Sequence, residues 1–154
     1  MDEKSVISKI NLIFKGNGFI KKGNTWRKNE KDVAIVIALQ KSRYSNSFTF
    51  EIGICVDQSR DIDKLKYYTC GISFRLNKIP VFDEVNIDKA LDLDSDNELF
   101  FLDMVAFLEK DGVNLIDRFF DFSYLKSLYN DNFFKDKMID NAVSYTHLRA
   151  HETS

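Results

Sequence analysis

Nucleophilic and metal chemistry have few residues to draw on in this chain: two histidines, His147 and His151, and two cysteines, Cys55 and Cys70. The cysteines stand fifteen apart with no Cys-x-x-Cys pair and no neighbouring histidine, so the spacing does not build a zinc site. Both histidines fall within the last eight residues, which leaves Ser–His or Cys–His catalysis without a base in the body of the chain. Lysine or carboxylate bases remain, and an enzyme on Glu51, Arg75 and a lysine is the third class of function considered. Strand parity puts Cys55 on the face of Gly53 and Cys70 on the bulky face. The two thiols are therefore expected on opposite sides, as small packing residues rather than a disulfide.

Asp92, Asp94 and Asp96, followed by Asp103, have the outline of a calcium loop. Asn97 stands where such a loop needs glycine, and the twelfth position lacks the longer bidentate glutamate. Carboxylates ahead of a helix also favour its positive end without a metal. A capped, solvated loop is expected, and neither a metal nor a cofactor. The fourteen phenylalanines accompany much Lys, Asn, Ile and Asp, as in an AT-rich genome, and define no cofactor box.

Lys21, Lys22, Trp26, Arg27, Lys28, Lys41, Arg43 and Tyr44 interleave cations with aromatics, the types that neutralise phosphate and stack on bases. Residues 1–50 carry a net charge of +6 and residues 80–140 a net of −9 inside a total of −2. The two ends are expected to attract each other within one fold, with a basic surface for an acidic partner as the alternative.

The best polar constellation falls on the small-residue face of the predicted strands. With simple hairpin registers, Gln40, Thr49 and Arg75 form one row, with Glu51 and Ser73 one row along. Ala34, Ala38, Gly53 and Gly71 around them leave room above the sheet. The expected role is a shallow platform for a partner's backbone or charged side chain, with Arg43 and Trp26 as further contact residues. Against it stand an ordinary Glu51–Arg75 cross-strand pair, and the C-terminal helices as a cover for this face.

The elements that must position these residues are legible from periodicity. Val6, Ile7, Ile10, Ile13 and Phe14 fall within an arc of ~120°, which predicts an N-terminal helix ended by Gly16 or Gly18. Gly23-Asn24 between Phe19–Lys22 and Thr25–Lys28 reads as a hairpin turn, and Asn29–Asp32 as the next turn. Val33–Lys41 is a strand with one bulky and one small face. Phe48, Phe50, Ile52, Ile54 and Val56 alternate with Thr49, Glu51, Gly53, Cys55 and Asp57, and residues 68–76 repeat that period of two. Short loops between them imply an antiparallel meander. Ser95 and Glu98 have capping-box spacing ahead of a helix carrying Phe100, Phe101, Met104, Val105, Phe107 and Leu108. Gly112 is expected to end that helix, and Val113–Tyr129 to return as the second arm of a helical hairpin. The fold class is α+β: a meander of 4–5 strands with an N-terminal helix and a C-terminal helical hairpin.

Gly18-Phe-Ile-Lys-Lys-Gly-Asn-Thr-Trp26, Ala38-Leu-Gln-Lys-Ser-Arg-Tyr44, Phe50-Glu-Ile-Gly-Ile54 and Phe74-Arg-Leu76 together resemble domain-of-unknown-function family 4304. The resemblance covers roughly residues 10–125 and implies a bacterial protein with no established activity. At Glu51 the family more often shows an asparagine-like residue. Val143–Thr153 is similar to one translated frame of a sequencing adapter. Residues 142–154 are therefore expected to be an artefactual tail, and residues 1–141 a single domain truncated at its C-terminus.

A length of 154 residues suits one domain that can bury a core unaided. The longest apolar run, Val33–Leu39, is far short of a membrane span. With no secretory signal and two cysteines, a cytoplasmic setting is expected. The function expected is a non-catalytic binding domain with a protein partner, of the kind that neutralises a toxin as an immunity protein does. The alternative is a nucleic-acid-associated factor using the basic hairpin at residues 21–43.

Overall fold

The computed structural model describes residues 1–56 and 61–134. Helix α1 (Glu3–Lys15) starts where the Asp2 carboxylate accepts the Ser5 amide at 2.7 Å, and buries Val6, Ile10, Ile13 and Phe14. Of its two candidate stops, Gly18 takes the left-handed conformation (φ +87°), while Gly16 stays helical at φ −64°.

Five strands follow: β1 (Ile20–Lys22), β2 (Thr25–Glu30), β3 (Val33–Lys41), β4 (Phe48–Cys55) and β5 (Ile72–Arg75). They form one antiparallel sheet in the order β1-β2-β3-β4-β5, so the predicted meander is the fold. The β1–β2 turn is Gly23-Asn24 as expected, with φ +64° at Gly23. Strand β2 runs on to Glu30, two residues past its predicted end, because Glu30 pairs with Val33 around Lys31 (φ +53°).

Beyond β5 the chain forms α2 (Pro80–Glu84), α3 (Ile87–Ala90), α4 (Glu98–Phe107), α5 (Val113–Arg118) and α6 (Phe122–Asn130). The bulky sheet residues Ile35, Ile37, Phe50, Ile52, Ile72 and Phe74 share one core with α1 and these helices. Phe14 is its hinge point, with its ring 5.3 Å from Phe19, 5.7 Å from Trp26 and 6.0 Å from Phe50. The C-terminal helices join the same side through Phe74–Phe119 at 6.5 Å and Phe19–Phe120 at 6.4 Å. The core is therefore two-layered: helices on the bulky face, the small-residue face turned away from them.

Three local expectations are corrected. Gly112 does not end α4, because a wide helical turn over Leu108–Gly112 carries the axis into α5 and Gly112 stays at φ −63°. A Cβ there would stand 2.9 Å from Leu108 Cδ2, so the glycine serves close packing rather than a stop. The helical run breaks instead at Phe119–Asp121, where the Asp121 carboxylate accepts the Ser123 and Tyr124 amides to start α6. The cap of α4 is Asn97, not Ser95. Buried Asn97 donates to Ala90 O at 2.7 Å and accepts from the N-terminal amine at 3.0 Å, while Ser95 Oγ donates to Asp92 O. Finally, β5 is four residues long, because residues 67–69 curl into a 3-10 turn instead of extending it. Among the described residues no helix is long and apolar enough to cross a membrane. The 142–154 tail lies outside the described residues.

Candidate functional site

The small-residue face is divided into a roofed end and an open end. The roof is the segment 61–71, with 3-10 turns at Ile62–Lys64 and Tyr67–Thr69. Leu65, Ile62 and Tyr67 pack with Ala34, Val36, Cys55 and Cys70 into a second, smaller apolar cluster. Gly53 is the seat of that roof. A Cβ there would lie 2.5 Å from Tyr67 O and 2.7 Å from Tyr67 Cα, so only glycine admits the Tyr67 backbone. The room expected above Gly53 is thus filled by the chain itself. Buried Arg27 fastens the same segment from the other side, its Nε donating to Leu65 O at 2.8 Å.

The curl at residues 67–69 also breaks the strand parity on which the cysteines were assigned to opposite faces. Both are buried, and both sit in the small cluster between the roof and the sheet.

At the open end the sheet brings together Gln40, Thr49, Glu51 and Arg75. Gln40 faces Thr49 as expected, but Arg75 lies opposite Glu51 rather than Thr49. The predicted row is shifted by two residues, because the β4–β5 connection is the roof segment and not a simple hairpin. Glu51 Oε1 accepts from both Arg75 Nε at 3.1 Å and Thr49 Oγ1 at 3.0 Å. The Glu51 side chain is 9% exposed and that of Arg75 is 57% exposed. A low-lying carboxylate thus orients an outward guanidinium whose terminal N–H donors, among the described residues, remain available for a planar acceptor.

Tyr67 overlooks this pair from the edge of the roof. Burial pushes its phenol above 10.0, the Glu51 charge pushes the same way, and Arg75 opposes both. Its ring meets that of exposed Tyr68 edge-on at 5.3 Å. Neither tyrosine was expected here: alternation assigned Tyr68 to a strand and gave Tyr67 no role. A glycine inside a strand was the available signal, because it marks where another backbone comes close.

Thr49 and Arg75 also line a groove of 450 Å³ that runs to Ser47, Asp88, Asp92 and Asp94. Its carboxylates brace the loops: Asp92 Oδ1 accepts the Asp94 amide, Asp94 Oδ2 the Asn46 amide, and Asp88 the Asn77 side-chain amide. Among the described residues no three His, Cys, Asp or Glu side chains are grouped to hold a metal ion.

The remaining predicted contact residues lie apart. Trp26 is fully buried on the opposite face, its indole donating to Asn11 Oδ1 at 3.0 Å, and offers nothing to a partner. Arg43 is exposed at the tip of the β3–β4 hairpin beside Tyr44, the most exposed large hydrophobic among the described residues at 96%. Of the basic hairpin, Arg27 is buried, Lys28 pairs with Glu30 and Asp117, and Lys41 pairs with Glu3 at 2.7 Å. Lys21, Lys22, Lys31 and Arg43 are exposed, as is the paired Lys41.

One helix-backed antiparallel meander, with a polar platform on its uncovered face, defines a small α+β domain. The chain belongs to the family described as Domain of unknown function (DUF4304), whose family model matches residues 10–115. No curated protein and no solved structure matches it.

Proposed function

We propose that this is a non-catalytic binding domain that engages a protein partner through the open end of its sheet, at Gln40, Thr49 and Arg75. The observation that carries the reading is the Glu51–Arg75 pair. A buried carboxylate anchored to a strand holds an exposed guanidinium in one orientation, which lowers the entropy lost when a partner is bound. Gln40 and Thr49 add a donor and acceptors in the same plane. Arg43 and Tyr44, the residue types most frequent at binding hot spots, stand at the hairpin tip at the end of the same strand pair. A domain of this kind acts by occlusion, as an immunity-type protein does when it neutralises a toxin.

A photo-crosslinker at position 40 tests this in host cells. A protein is expected to be captured, and Arg75→Ala is expected to abolish the adduct while leaving the fold intact. Relief of that protein's toxicity on co-expression would establish neutralisation. Recovery of nucleic acid instead, with affinity falling steeply in salt and a slope reduced by Lys22→Ala, would favour the basic-hairpin alternative. An adduct indifferent to Arg75 would overturn the site.

A further inference from the structure

Helix α4 is apolar around most of its circumference, Glu-Leu-Phe-Phe-Leu-Asp-Met-Val-Ala-Phe. Phe101, Met104 and Val105 fill its inner side. A helix with one neighbour needs one apolar stripe, and a second stripe calls for a second neighbour. That second stripe is Leu99, 76% exposed, Leu102, 50% exposed, and Ala106, also exposed. At about 100° per residue these three fall within an arc of about 60°, with the 3-4 spacing of a helix-pairing seam.

The charges around the seam specify its occupant. Glu98 flanks it beside Leu102 and Asp103 beside Leu99; Asp96 precedes the helix, and Glu109 and Asp111 follow it, all exposed. Among the described residues none of these five carboxylates is ion-paired. The nearby cations are the N-terminal amine, which donates to Asn97 at the start of the helix, Lys89, which sits 5.2 Å over the Phe100 ring, and Lys110. Acid on both flanks opposes a second copy of the same face and an anionic lipid surface alike.

We propose that the outer seam of α4 docks a basic amphipathic helix of a partner protein, with leucine-type residues on Leu99 and Leu102 and lysine or arginine beside Glu98 and Asp103. This surface belongs to the helical layer, and the proposal stands independently of the sheet-face site.

The test is fluorescence anisotropy of the full chain with two synthetic helices sharing leucine at a and d, one with lysine and one with glutamate at e and g. The lysine peptide should bind and the glutamate peptide should not. The double variant L99S/L102S keeps every charge and alters only exposed positions. It should weaken the lysine peptide about tenfold or more. The charge reversal E98K/D103K should exchange the preference of the two peptides. Equal binding of both peptides, binding unchanged by L99S/L102S, or no binding would overturn the proposal. So would a dimer, or adsorption to phosphatidylserine vesicles, that L99S/L102S abolishes, since either would give the seam a different occupant.

Discussion

Ala34, Val36, Gly53 and Cys55 at one end of the outer sheet face, and Ala38, Gln40, Thr49 and Glu51 at the other, are carried by the same two central strands. The first set lies under the segment 61–71, while Gln40 and the Arg75 beside Glu51 meet solvent. Side-chain size does not separate the two ends. What separates them is a polypeptide seated on Gly53, fastened by Arg27, and sealed by Leu65, whose full burial alone is worth about 1.5–3 kcal/mol. The roofed end is spent on stability, and the open end retains polar groups on rigid strands.

The largest effect is expected from Gly53→Ala. The new methyl would meet backbone at 2.5 Å and 2.7 Å, and no rotamer change can relieve it. The roof must lift or the strand must bend, at a cost of about 3 kcal/mol, the upper part of the overpacking range. Urea unfolding should show that loss, and amide exchange should place it in residues 61–71. Full stability in Gly53→Ala would mean the roof is not seated as described.

Arg27→Met comes next. It preserves the aliphatic stem but leaves the buried Leu65 carbonyl without its donor, a loss of about 2 kcal/mol. Because Arg27 is buried, the substitution should leave the salt dependence of any nucleic-acid affinity unchanged, whereas Lys22→Ala, at an exposed position, would not.

At the open end the order of effects reverses. Arg75→Ala should lower stability by only about 1 kcal/mol or less, since its side chain is more than half solvated and Thr49 still donates to Glu51. On partner affinity the same substitution should cost about 1–3 kcal/mol, the scale of a charged hydrogen-bonding contact. A calorimetric stability loss larger than the affinity loss would return Glu51–Arg75 to a purely structural role.

The contrast also shows where periodicity informs and where it fails. Strands β3 and β4 were legible because their two faces differ in bulk, and α1 because its buried residues recur every three or four positions. Tyr68, Cys70 and Ile72 keep the same alternation, yet the chain curls at residues 67–69 to lay the Tyr67 backbone on Gly53. That requirement is tertiary, so no local pattern records it, and the β4–β5 register and the cysteine placement were lost with it. Gly112 failed for a related reason. Glycine ends helices and also permits close contact, and only the positions of Leu108 and Phe107 decide between the two. The open platform was found because Gln40, Thr49, Glu51 and Arg75 are polar residues in otherwise apolar strands, a signal that survives a shift of register.

The smallest effect joins the two ends, because Tyr67 belongs to the roof yet senses Glu51 and Arg75. Its phenol is held above 10.0, first by burial and then by the Glu51 charge, so the folded protein binds that proton more tightly than the unfolded chain does. Stability from this source is fully present below the unfolded value and is lost as pH rises through the folded one. Urea midpoints of the wild type should therefore fall more steeply above pH 10 than those of Tyr67→Phe, with the other tyrosines cancelling between the two proteins. Arg75 opposes the shift, so Arg75→Ala should widen the gap between folded and unfolded values and steepen the alkaline decline further. Parallel curves for wild type and Tyr67→Phe would detach the roof's edge from the polar platform and leave the two ends of the face electrostatically separate.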